Sequence, residues 1–255
     1  MPLPSRTPQS AQTHTAPTAT AAGPKRLIVD AAGSSEYTTI ASAILGARPE
    51  DIIVLRPGTY KESLRIDRDV QIVGEGGRSK VIVEAAPGQG AVFMFTAGSA
   101  TLTGLTIRIV GTGTANIGAG AIAVLAGTPV IEDCDLTSSA GSAVYILGAG
   151  ANPVIRNCTM RNSRDDGVHV QEQGQGTIEK CVISGNTGSG VAITTGGNRT
   201  VRDCEIRDNK QAGVWVHDQG QGTFTGNTLT GNANGAWVIG ADAGRVTRTG
   251  NRPNE

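Results

Sequence analysis

Residues 177–232 repeat themselves, and the length of that repeat limits the fold more than any other feature of the chain. Cys181 and Cys204 hold equivalent places 23 residues apart, and Asn186, Asn209 and Asn232 form a second series with the same 23-residue step. A period this short describes one coil of a solenoid, in which each coil stacks only on its neighbours. β-Branched residues at alternate positions, with Gly, Asn and Ser between them, make the coils strands and turns. The 255 residues include 36 Gly but only 3 Phe, 3 Tyr and 2 Trp, which suits a narrow core of Val, Ile, Leu and Ala.

The chain then reads as a tail, a cap and a stack. Residues 1–24, rich in Pro, Thr and Ala, carry too little apolar surface to offset the entropy of ordering and are expected to form a disordered tail. They also lack the apolar segment of a secretory signal. Residues 25–255 are expected to form one domain. A first strand is expected at 27–30. The segment SSEYTTIASAILGA then places Tyr37, Ile40, Ile44 and Leu45 at helical spacing, and with Gly46 as the stop this predicts a short helix over about 38–46. Such a helix would cover the open end of the stack, where the first coil otherwise exposes apolar side chains and strand edges. Strands follow at 52–55, 63–66 and 70–73.

The run LIVDAAG…YTTIASAI…DIIVLRPGTYKESLRIDRDVQIVGEGG resembles the opening coils of the pectin-lyase-like superfamily. That resemblance implies an all-β fold, a single-stranded right-handed parallel β-helix, here with coils of about 22–24 residues and regular from about 91 to 250. Enzymes and non-enzymes share the opening, so it speaks to fold rather than chemistry.

Four columns run along the coils. Cys134, Cys158, Cys181 and Cys204, continued by Asn227, form the first. An apolar residue lies two positions after each (Leu136, Met160, Ile183, Ile206, Leu229), so the thiols share its inward face. A line of thiols is not the tetrahedral cluster that zinc needs, and without an export signal the thiols are expected to be reduced, as stacked small hydrophobes. Asn162, Asn186, Asn209 and Asn232 form the second column, amides that can bond to one another along the stack.

The third column is expected to face outward: Tyr145, His169, Ala192, Trp215 and Trp237. Gln171, Thr194 and His217, then Glu172, Thr195 and Asp218, form its polar margin. In a chain so poor in aromatics, a row of flat rings reads as a surface for stacking on sugars or anchoring a protein. The fourth column pairs EQGQGT at 172–177 with DQGQGT at 218–223, 46 residues apart, with TTGGN at 194–198 between them. That alternation points to a two-coil unit.

GVWVHDQGQGTFTGNTLTGNANGAWV and its echo GVHVQEQGQGTIEKCVISGNTGSGVAI resemble repeats of the carbohydrate-binding and sugar-hydrolysis type, over about residues 128–240. Such repeats occur in actinobacterial β-helix proteins and in the substrate-recognition domain of certain F-box proteins. No F-box-like helical region is present, so the resemblance implies a binding or scaffold β-helix without a ubiquitin-ligase role.

One constellation is enzyme-like. In SRDDGVHV, Asp165 and Asp166 are expected in a turn and His169 on the next strand. Two acids and an imidazole could supply general acid and base or hold a cation. The neighbouring coils offer only Ser189 and Gly190, then Ala212 and Gly213, in support, and solvated turn aspartates are the plainer reading. Zero net charge, from 22 basic and 22 acidic residues, gives no electrostatic footing for nucleic acid or an acidic membrane. The leading expectation is a cytoplasmic, non-catalytic binding or scaffold protein without metal or cofactor. It would recognise a protein or a glycan through Tyr145, His169, Gln171, Trp215, His217, Asp218 and Trp237. The alternative is a polysaccharide-modifying lyase, hydrolase or epimerase acting through Asp165, Asp166 and His169. The polar last coil, RVTRTGNRPNE, leaves self-association open.

Overall fold

Short strands joined at left-handed corners build the molecule. The computed structural model describes residues 23–113, 118 and 120–253, and each regular coil gives one strand to each of three parallel sheets. One coil runs Thr177–Glu179, Val182–Ser184 and Val191–Ile193 before the next begins at Asn198–Arg202. The first sheet has ten strands, from Arg26–Val29 to Val246–Thr249. The second and third have eight each, ending at Thr228–Thr230 and Trp237–Ile239. Neighbours in each sheet are counterparts one coil apart, as in Ile178 with Val201, Ile183 with Ile206 and Val191 with Val214. The expected tail at 1–24 lies, but for its last two residues, outside the described residues.

Corner chemistry explains the polar columns. Two residues separate the first sheet from the second, and the first of them is left-handed: Asp133, Asn157, Lys180 and Asp203 have φ of 52°, 53°, 53° and 55°. Asn and Asp tolerate this region better than most residues. The second corner residue is the cysteine, which turns inward, and all four cysteines are buried free thiols. Burial pushes the Cys134 thiol well above its ordinary pKa.

Between the second sheet and the third, the buried amides of Asn186, Asn209 and Asn232 form a ladder. Asn186 Nδ2 donates to Asn209 Oδ1 at 2.9 Å, and Asn209 Nδ2 to Asn232 Oδ1 at 2.8 Å. Asn162 does not belong to this ladder. It occupies the left-handed corner position with φ 53°, while Ser163 takes the ladder place and its N–H donates to Asn186 Oδ1 at 3.0 Å. The step from Asn162 to Asn186 is 24 residues, one too many for the 23-residue register.

Stacked aliphatics fill the core. Ile155, Ile178, Val201 and Phe224 line one wall, Leu136, Met160, Ile183 and Ile206 the second, and Val144, Val168, Val191 and Val214 the third. Each such side chain contributes roughly 1.5–3 kcal/mol when fully buried. The N-terminal end is covered by the helix Ile40–Gly46, which buries Ile40, Ala43 and Ile44. Thr39 caps it, and the Glu62 carboxylate accepts from the N–H groups of Ile40 and Ala41 at 2.8 and 2.9 Å. Leu45, expected on the apolar face, is instead 76% exposed. It follows Ile44 directly, about 100° around a helix from it, and a cap this short packs only one stripe. Among the described residues no helix is long and apolar enough to cross a membrane.

Candidate functional site

The third sheet carries the candidate site on its outer face. Register places Ala123, Tyr145, His169, Ala192, Trp215 and Val238 in one row. Val144, Val168, Val191 and Val214, one position earlier, fill the core, so the row faces away from it.

Trp237 is not in the row. It pairs with Val214 and therefore sits on the inward side. The step from Trp215 to Trp237 is 22 residues, one short of the 23 that keep register, and a one-residue slip exchanges the faces of a strand. Its ring meets Phe224 edge-on at 5.2 Å, Arg248 lies 5.3 Å above it, and its indole N–H donates to Pro253 O at 2.9 Å. Trp237 thus closes the C-terminal end of the core. Tyr145 is in the row but only 7% exposed. Ala91, Ala123, Leu147 and Met94 pack around it, and a Cβ on Gly120 would lie 3.1 Å from its ring. The open platform is therefore shorter than the expected stripe, with His169 and Trp215 as its rings.

Around His169 the structure gathers Asp165, Asp166, Ser142 and Tyr145. The Asp166 carboxylate is 6% exposed, and both of its oxygens are engaged: Oδ1 accepts from the Ser189 N–H at 2.6 Å, and Oδ2 lies 2.8 Å from His169 Nδ1. A carboxylate only accepts, so Nδ1 carries the proton, and Gln171 is a further side-chain hydrogen-bond partner of the imidazole. The Tyr145 ring leans on the imidazole at 5.6 Å. Burial, the largest influence on His169, pulls its pKa down, but the Asp166 hydrogen bond and the charges of Asp166 and Asp165 outweigh it, and the pKa is raised. Burial, then the neighbouring Asp166 charge, raises the Asp165 pKa. A dyad of this kind can hold or take a proton near neutral pH. The ligand atoms of Asp165, Asp166 and His169 lie within 4.8 Å of one another, so these three side chains could also ligate a cation, in competition with the Asp166–His169 bond.

Two coils on, about 10 Å away by strand spacing, Trp215 and His217 stack with ring centroids 4.0 Å apart and planes at 25°. Asp218 Oδ2 accepts from the Thr195 and Thr194 hydroxyls at 3.2 and 3.4 Å. Gln171 aligns with Leu147 beside the histidine row and is half-buried. Ser142 and Ser189 flank Asp166 from the coils on either side. Ser142 Oγ accepts from the Asp166 N–H at 3.2 Å, a role that only the aligned coils reveal. A surface depression of about 550 Å³ lined by Ala47, Pro49, Asp67, Arg68, Asp69 and Gly98 lies near the helix-capped end, at the corners that follow the third-sheet strands Leu64–Ile66 and Phe93–Phe95.

A family profile described as right handed beta helix region matches residues 90–252. Among curated proteins none matches the sequence. The chain is similar in structure to the pectin methylesterase of Aspergillus niger, with a TM-score of 0.68 at 15% identity over 90% of this chain and 86% of that one. It is also similar to the pectate lyase Pel9A, with a TM-score of 0.65 at 14% identity over 86% and 68% of the two chains. A pectin methylesterase in complex with a hexasaccharide gives a TM-score of 0.57 at 16% identity over 82% and 80%. At such identities the likeness is one of fold.

Proposed function

The chain belongs to the family of right-handed β-helix regions, and on that premise we propose that it is a glycan-binding β-helix that takes its ligand on the outer face of the third sheet. The observation that carries this reading is the Trp215–His217 stack, 4.0 Å between rings, with Asp218, Thr194 and Thr195 beside it. A flat aromatic face edged by hydrogen-bonding groups suits a sugar ring, whose C–H faces are apolar and whose edges are hydroxyls. His169 and Gln171, about 10 Å along the sheet, extend the surface over more than one sugar unit. The hexasaccharide held by one structural neighbour supports an extended ligand of this class. Calorimetric titration with pectin-derived oligosaccharides tests the reading: Trp215→Ala weakens binding by about 10–100-fold. Affinity unchanged by that substitution would remove Trp215 from the site, and a protein captured in place of a glycan would replace the ligand class.

The Asp166–His169 dyad favours a second reading, in which the same face also modifies the sugar. His169 Nε2 would act as the base, oriented by Asp166. Under this reading Asp166→Asn abolishes turnover of the bound oligosaccharide while leaving its affinity within a few-fold.

A further inference from the structure

Arg199 is the one arginine among the described residues that lies wholly inside the solenoid. Within the strand Asn198–Arg202 the buried positions are Arg199 and Val201, so its side chain shares the inward face. It is 1% exposed, and among the described residues none of Nε, Nη1 and Nη2 meets an acceptor. Among the described residues no carboxylate pairs with it, and desolvation lowers its pKa. That pKa is pushed down only to about 9, so the guanidinium is still cationic at neutral pH.

The repeated QGQGT turns bracket this residue. Arg199 pairs with Gly222 of the following turn, and Gly176 of the preceding turn lies against its guanidinium. A Cβ on Gly176, where φ is 124°, would stand 2.2 Å from Arg199 Nη1 and 2.2 Å from Pro153 O. At Gly222 the place of a Cβ is filled by the Phe224 ring, 2.8 Å away. The alternation of QGQGT, TTGGNRT and QGQGT thus has a physical reading: Gly176 of the preceding coil leaves the room that the arginine of the middle coil occupies, and Gly222 of the following coil leaves room for the Phe224 ring. Sequence fixed in this way around an uncompensated interior cation implies a compensating group. Burying a lone charge costs several kcal/mol, far more than burying a methionine of the same length.

We infer that Arg199 and the two glycine turns form an internal anion site, and that its ligand is a small inorganic anion of chloride size. Coils spaced roughly 4.8 Å apart favour a single atom over a tetrahedral oxyanion. A halide beside the guanidinium satisfies several donors and neutralises the charge at once, whereas water would supply acceptors without the countercharge.

Bromide is the probe. Crystals of the full chain grown or soaked in bromide are expected to show an anomalous peak within hydrogen-bond distance of the Arg199 guanidinium, and a map without that peak overturns the inference. In solution, replacing gluconate by chloride at constant ionic strength raises the unfolding midpoint of the wild type, by roughly 3–6 °C per tenfold step above the dissociation constant. Arg199→Met keeps the volume and loses the response. The same response in both proteins would place the chloride effect elsewhere and count against the site. Should the variant fail to fold, the bromide map of the wild type decides.

Discussion

At the scale of single residues, the face of the third sheet turns on which side of a strand a ring occupies. The 23-residue step carries His169 and Trp215 into one row, with Ala192 between them, and this much is legible from spacing alone. Trp237 breaks the rule because it lies 22 residues after Trp215 while the strands keep the 23-residue pairing, and a column drawn by motif rather than by count puts it on the wrong face. Tyr145 keeps its row, but its covering by Ala91, Met94 and Gly120 comes from residues 25 to 54 positions earlier, and no local pattern announces that. The Asp166–His169 contact was legible as a pair of residue types, but the Ser189 N–H that fixes Asp166 belongs to the next coil. His169 offers a direct test. NMR titration of the imidazole gives a pKa above the ordinary 6.5, and Asp166→Asn lowers it by removing the raising partner. Because the folded pKa is raised, the pair stabilises the fold most below the unfolded value and loses that contribution as pH rises through the folded one. A His169 pKa unmoved by the substitution would break the link between the two side chains.

At the scale of elements, corners and ladders hold the coils in register. The Asn186–Asn209–Asn232 ladder was predictable from the 23-residue series, since an inward amide repeated at coil spacing has no other buried partner of its kind. Asn209 both donates and accepts: its Oδ1 takes the Asn186 N–H and Nδ2–H, and its own Nδ2 reaches Asn232 Oδ1. Asn209→Ala therefore strands buried groups on two coils and lowers stability by about 2–4 kcal/mol, measurable by urea denaturation. A loss below about 0.5 kcal/mol, the size of a surface change, would mean that the ladder contributes nothing beyond its volume. The cap helix is the opposite case. Its existence was readable from its spacing and from Gly46, yet the carboxylate that caps its first turn belongs to Glu62, 22 residues beyond Ile40 in the turn between the strands Gly58–Lys61 and Leu64–Ile66.

The whole molecule is a stack with unlike ends. A helix covers the first coil, whereas Trp237, Arg248 and Pro253 close the last, so the two ends fail differently. Trp237→Ala is expected to fray the C-terminal coils first, with hydrogen exchange accelerating in Val246–Thr249 and Thr228–Thr230 before it does in Ile155 or Ile178. Uniform acceleration along the chain would contradict an end-closing role. The same contrast between the two tryptophans gives the most direct test of the binding face. The chain has 2 Trp, so its indole N–H region in an NMR spectrum holds two signals, one from a ring on the outer face and one from a ring folded against the core. On titration with a pectin-derived hexasaccharide, a glycan-binding third sheet predicts that the Trp215 signal moves and saturates while the Trp237 signal stays in place. A Trp215 signal that stays put with this ligand and with a panel of other oligosaccharides would contradict it.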